Sequence, residues 1–165
     1  MIAGLSAEKL QKTLYFLMIA LAVFGADQAT KQAIVKNFHL HQSIEIIPGL
    51  FNITYVRNTG AAFGILAGAE SWRIYFFLGT GLIALIFLFH FFYTNYKSPL
   101  VVMGTALVCG GAAGNIVDRL TRGYVVDFLD FFIGKYHWPA FNIADIAITM
   151  GICLLVFHFL KNKDF

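Results

Sequence analysis

The stretch Ile74-Tyr-Phe-Phe-Leu-Gly-Thr-Gly-Leu-Ile-Ala-Leu-Ile-Phe-Leu-Phe-His-Phe-Phe-Tyr93 carries eight Phe or Tyr residues and no formal charge. Crossing the hydrocarbon core of a bilayer takes about 20 mostly apolar residues, so this segment predicts a membrane-spanning helix. Three other runs follow the same logic. Leu100 to Val117 is rich in glycine, and Phe141 to Leu160 carries Asp145 close to its start. Lys12 to Lys31 holds an uninterrupted apolar stretch only from Leu14 to Ala26, too short to span alone, which puts Asp27 near one interface. The 59% hydrophobic content and mean hydropathy of +0.73 exclude a soluble core with a wettable surface. The expected fold is a mainly α, integral membrane four-helix bundle, with residues 1–165 forming a single membrane-embedded domain. Gly110 and Gly114 have the small-xxx-small spacing that lets helix backbones approach in lipid, a bend being the competing use.

The net charge of +3 is carried by basic residues scattered singly, without the stripe that nucleic acid demands. Cys109 and Cys153 fall inside predicted spans and read as inert core thiols. Lys9 and Lys12 precede an apolar run containing Ala20-Leu21-Ala22, the pattern of a cleavable secretion signal, but three further spans favour a retained helix. Four spans put both termini on one side. Lys9, Lys12, Lys97, Lys161 and Lys163 crowd into the short segments there, which favours cytoplasmic termini.

The polar residues sort to the opposite side: Asp27, Lys31, Arg57, Asn58, Asn115, Asp118, Arg119, Asp127, Asn142 and Asp145. Ionisable groups at membrane depth are costly to desolvate, so each needs a partner or a function. Asp27 and Lys31, four apart, are expected to form an intrahelical ion pair. Arg119 would meet the carbonyl end of the third helix, with a structural Asp118 bonding it or a loop backbone. Asn142 can cap the fourth helix, which leaves Asp145 needing another partner. Asp127 lies in a Val- and aromatic-rich segment that reads as a strand or an interfacial piece, and Asp130 as a solvated loop charge. Should Asp127 approach Asp145, the two carboxylates would share one proton, as in an aspartyl-protease dyad.

Ser43 to Val56 contains two β-prone runs around Pro48-Gly49, predicting a small hairpin on the membrane surface. Asn58, Gly60 and Gly64 then form either an ordinary turn or a segment whose backbone can approach a bound peptide. No Ser/Lys or Ser/His pair has suitable surroundings, and His39 and His41 lack nearby metal-ligand partners. His90 and His158 read as core or interfacial.

In order along the chain stand Asp27-Gln-Ala-Thr-Lys31, Val56-Arg-Asn-Thr-Gly-Ala-Ala-Phe-Gly64, Gly114-Asn-Ile-Val-Asp-Arg119, Gly123-Tyr-Val-Val-Asp-Phe128 and Trp138-Pro-Ala-Phe-Asn-Ile-Ala-Asp145. This combination resembles the signal peptidase II family over nearly the whole chain. The resemblance implies an aspartic endopeptidase of the bacterial inner membrane that cuts prolipoproteins on the amino side of a diacylglyceryl cysteine. It implies Asp127 and Asp145 as the catalytic dyad and Asn58, Gly60, Asn115, Arg119 and Asn142 as substrate-binding residues. Asp27, Lys31 and Asp118 would support the architecture, and the active site would face the extracytoplasmic side. No metal or other cofactor is expected, and the partners are the prolipoprotein and membrane lipid, with the chain acting as a monomer. Two other classes stay open: an ion or proton relay through Asp27, Lys31 and Asp145, and a noncatalytic lipoprotein-binding protein. One-sided clustering of the charges disfavours the relay.

Overall fold

The helix ends fall where local chemistry stops them, as the computed structural model shows over residues 6–60 and 70–162; Gly64 and Lys163 lie outside these described residues. Helix α1 (Ala7–Asn37) starts at Ser6, whose side chain accepts the Lys9 N–H. It runs well past Asp27, so the apolar stretch that looked short is part of a longer continuous helix. Helix α2 (Glu70–Asn95) contains the Ile74 to Tyr93 segment. Helix α3 (Pro99–Arg122) is opened by the Ser98 cap with Pro99 in its first turn and closed by Gly123 at φ 77°. Helix α4 (Ile143–Lys161) begins at the Asn142 cap. All four are long and apolar enough to cross a membrane.

Helix α3 is the centre of the bundle, packing against α1, α2 and α4. Half of its most apolar window is buried, against 6–17% for the other three, whose outward faces are apolar. Glycines make this possible. A Cβ on Gly110 would overlap the Ala20 carbonyl of α1, and one on Gly111 would overlap the Ala144 carbonyl of α4. The Gly110/Gly114 spacing therefore serves close approach, with Gly114 set directly against Asp27.

At one end of the bundle sits an antiparallel sheet in the order β1-β2-β3-β4, built from β1 (Ser43–Ile47), β2 (Phe51–Asn58), β3 (Val125–Ile133) and β4 (Tyr136–His137). The predicted hairpin is β1–β2, turning at Gly49 with φ 73°. Strand β3 adds along β2 with Val56 opposite Asp127, resolving the strand-or-interfacial choice for this segment. Ile34, Tyr55, Val126 and Phe128 form the core between sheet and α1. The chain then doubles back: Phe141 pairs with Leu129 and its carbonyl accepts the Phe128 and Leu129 N–H groups. That bridge delivers the start of α4 to the strand that carries Asp127.

Three expectations are corrected. Asp130 is buried in β3, where it accepts from Asn52 Nδ2 at 2.9 Å and lies 2.9 Å from His137 Nδ1. Asp118 pairs with Arg122, one helical turn on, instead of Arg119, while its other oxygen takes the Val126 N–H at 3.1 Å. Cys153 faces outward on α4 and is not a core thiol.

Candidate active site

Asp127 and Asp145 are drawn together by two asparagines. Asn142 Nδ2 donates to Asp127 Oδ1 at 2.7 Å, and the Asn142 backbone N–H donates to Asp145 Oδ2 at 3.1 Å. Asn142 Oδ1 in turn accepts the Asp145 N–H at 3.0 Å, completing a reciprocal capping box at the start of α4. Asp145 thus stands in the first helical turn, and the partners that the sequence left unnamed are the Asn142 backbone and Asn115, whose Nδ2 donates to Asp145 Oδ1 at 3.0 Å. From the sheet, Asn58 Nδ2 donates to Asp127 Oδ2 at 2.9 Å while its own oxygen takes the Gly60 N–H at 2.8 Å. Gly60, at φ 107°, forms a turn whose missing side chain leaves room for the Phe77 ring.

Burial pushes the Asp127 carboxyl up to about 7; the hydrogen bonds from Asn58 and Asn142 and the charge of Lys31 oppose that rise, and the charge of Asp145 adds to it. Arg119 stands one helical turn after Asn115 on α3. Its Nη1 donates to the Asn115 carbonyl at 3.1 Å, as expected for a cation in the last turns of a helix, and its guanidinium lies 5.0 Å from the centre of the Phe77 ring.

Behind this arrangement is a charge cluster built on the fully buried Asp27, Lys31 and Asp118. Lys31 Nζ reaches Asp27 Oδ2 at 2.8 Å, Asp118 Oδ2 at 3.1 Å and Asn115 Oδ1 at 2.8 Å. The Asp27–Lys31 ion pair is the expected one, but Asp27 also accepts the Ala144 N–H of α4 at 3.0 Å, serving a helix 117 residues away. Two members were missed in the sequence. Arg122 had a signal, lying four residues after Asp118. Gln28, which donates to Asp27, Asp118 and the Gly114 carbonyl, had none beyond its neighbour Asp27. Among the described residues no group of three or more His, Cys, Asp or Glu side chains gathers as a metal site.

The family described as Signal peptidase (SPase) II matches residues 19–161. The chain belongs to the signal peptidase II family. It is 48% identical over 150 residues to the lipoprotein signal peptidase of Syntrophus aciditrophicus (strain SB), covering 90% of this chain and 93% of that one. The lipoprotein signal peptidase of Pasteurella multocida (strain Pm70) is 44% identical over 156 residues, 94% of each chain. Two solved bacterial membrane enzyme structures share the fold. One is 39% identical with a TM-score of 0.78, covering 91% of this chain and 92% of its own; the other is 40% identical with a TM-score of 0.79, covering 90% and 94%. This signal peptidase II chain is therefore a multi-pass bacterial membrane protease, with four membrane-capable helices and a small sheet at one end.

Proposed function

We propose that this chain cleaves prolipoproteins on the amino side of the diacylglyceryl cysteine, using Asp127 and Asp145 as an aspartic dyad. The observation that carries the reading is the ring of hydrogen bonds through Asn142 and Asn115, which ties both carboxylates to one spot. Asp127, with its elevated affinity for protons, holds the shared proton, and Asp145 takes one from a water molecule. The water oxygen adds to the scissile carbonyl carbon while Asp127 donates to the carbonyl oxygen. Collapse of the tetrahedral adduct then breaks the C–N bond: the proton gained by Asp145 goes to the leaving amine, and a hydroxyl of the adduct returns its proton to Asp127 as the C=O bond re-forms.

Asn58, Gly60, Asn115, Arg119 and Asn142 would surround the bound peptide, with Asp27, Lys31 and Asp118 supporting them. A cavity of about 380 Å³, lined by Trp138, Phe141, Asp145, Ile146, Thr149 and Met150, opens beside the dyad. Its apolar walls with one carboxylate at the head suit a substrate that is lipid on one side and peptide on the other. The whole chain acts as one membrane-embedded peptidase domain and as a monomer, its termini cytoplasmic and its sheet extracytoplasmic.

The test is cleavage of a purified diacylglyceryl prolipoprotein by wild type, Asp127→Asn and Asp145→Asn, each reconstituted and checked for folding. Both folded variants should lose cleavage. Full activity in either would overturn the dyad.

A further inference from the structure

Asn115 touches Asp145 with its amide nitrogen, and the reason lies on another helix. A side-chain amide has one accepting edge and one donating edge, and nothing within the residue chooses which faces where. Here the Asn115 oxygen meets the Lys31 ammonium at 2.8 Å and the Asn142 NH₂ at 3.4 Å. An amide turned the other way would set three donors against one another. The Asn142 NH₂ is itself committed to Asp127 Oδ1 and the Val126 carbonyl. The heavy atoms alone therefore require the Asn115 NH₂ to face Asp145 Oδ1. Since the Asn142 N–H occupies Asp145 Oδ2, both oxygens of Asp145 then accept an N–H, which favours the ionised carboxylate.

We propose that Lys31 is a positioning residue for peptide cleavage: by anchoring the Asn115 oxygen it turns the donating edge of that amide onto Asp145. The inference rests on the two-aspartate reading. Lys31 touches neither carboxylate of the dyad by a hydrogen bond and acts through Asn115. The remaining partners of its ammonium, Asp27 and Asp118, balance its charge, and Asp118 keeps Arg122 if Lys31 is removed.

That balance suggests the experiment. Lys31→Met alone strands a buried carboxylate and can unfold the protein. Asp27→Asn/Lys31→Met removes one charge of each sign, and the amide oxygen that replaces the Asp27 carboxylate can still accept the Ala144 N–H. Prolipoprotein cleavage by the double variant is expected to fall at least about tenfold in kcat with KM unchanged, approaching the roughly hundredfold that misplacing a reacting group costs. Adding Asn115→Ala to it should cause no further loss relative to Asn115→Ala alone, since both changes act on one contact. Wild-type kcat in the double variant would mean that Lys31 supplies charge balance only, and the proposal fails. Asn115→Asp serves independently of how the double variant folds: it keeps Lys31 paired but turns an acceptor toward Asp145, so lost cleavage supports the need for a donor there and unchanged cleavage overturns it. Asp127→Asn and Asp145→Asn run alongside separate the two readings. If they are active the dyad itself is wrong, whereas if they are inactive and the double variant is not, only the role of Lys31 is.

Discussion

In the proposed mechanism Asp127 holds the proton that the dyad shares. Its folded pKa of about 7 stands above the ordinary 3.8, chiefly through burial, so between these values the folded chain holds a proton that the unfolded chain has released. The contribution of Asp127 to stability therefore declines as pH rises from about 4 to about 7 and levels off above. Thermal unfolding in detergent should show that decline in wild type, and Asp127→Asn should flatten it. If the protonated Asp127 is the acid of the reaction, kcat/KM should also fall as pH rises through about 7, measured with a substrate whose own binding is constant over that range. Asn142 carries two burdens at once, the cap of α4 and a bond to Asp127. Losing the cap costs about 1 kcal/mol, while the lost donor at Asp127 should lower kcat by roughly a hundredfold. Asn142→Ala is therefore expected to remain folded with slightly lower Tm and nearly inactive.

Among the elements, α3 sets the tolerances. Its glycines bring α1 and α4 so near that a methyl group has no room, and Gly114 faces the carboxylate that pairs with Lys31. Gly114→Ala would push Asp27 from its place, adding overpacking of about 1–3 kcal/mol to a weakened buried ion pair. A clear drop in Tm with loss of cleavage is expected. A methyl group on Gly79 of α2 would meet nothing within 4 Å, so Gly79→Ala should leave both quantities near wild type and serves as the control. The sheet works through one junction. Pairing of Phe141 with Leu129 joins the strand bearing Asp127 to the helix bearing Asp145, making strand and helix a single support for the proposed dyad.

For the molecule as a whole, an apolar belt surrounds a polar cluster confined to one end. Leu82, Ile83, Ile86 and Phe87 of α2 and Met150, Val156 and Phe157 of α4 face outward, as lipid-facing side chains do. The fully buried charges Asp27, Lys31 and Asp118 lie beneath the sheet, and under the proposed function the scissile peptide bond would meet Asp127 and Asp145 near the interface without entering the hydrocarbon. If the termini are cytoplasmic, a Lys135→Cys variant, altered on the exposed turn between β3 and β4, should be labelled by a membrane-impermeant thiol reagent from outside intact cells. A Lys161→Cys variant, altered at the other end of α4, should gain labelling at that position only after the cells are opened. The reverse pattern would invert the proposed orientation.

The sequence alone determined the four spans, the one-sided polar cluster and the β1–β2 hairpin, because bilayer thickness and β propensity act on contiguous residues. It also paired Asp27 with Lys31, a contact that lies within one helix at fixed spacing. Only tertiary structure decided that Asp27 supports Ala144, that Asp118 answers Arg122 and the Val126 N–H, and that Asp130 is a buried partner of Asn52 and His137. The same holds for the site. Asp127 and Asp145, the proposed dyad, were raised as a possible pair from the residues and assigned by resemblance, but their joining depends on Phe141 folding back on β3 and on the orientations of two amides. Hydrogen-bonding edges are chosen by neighbours that are distant in the chain and adjacent in space, so no local pattern of residues records them.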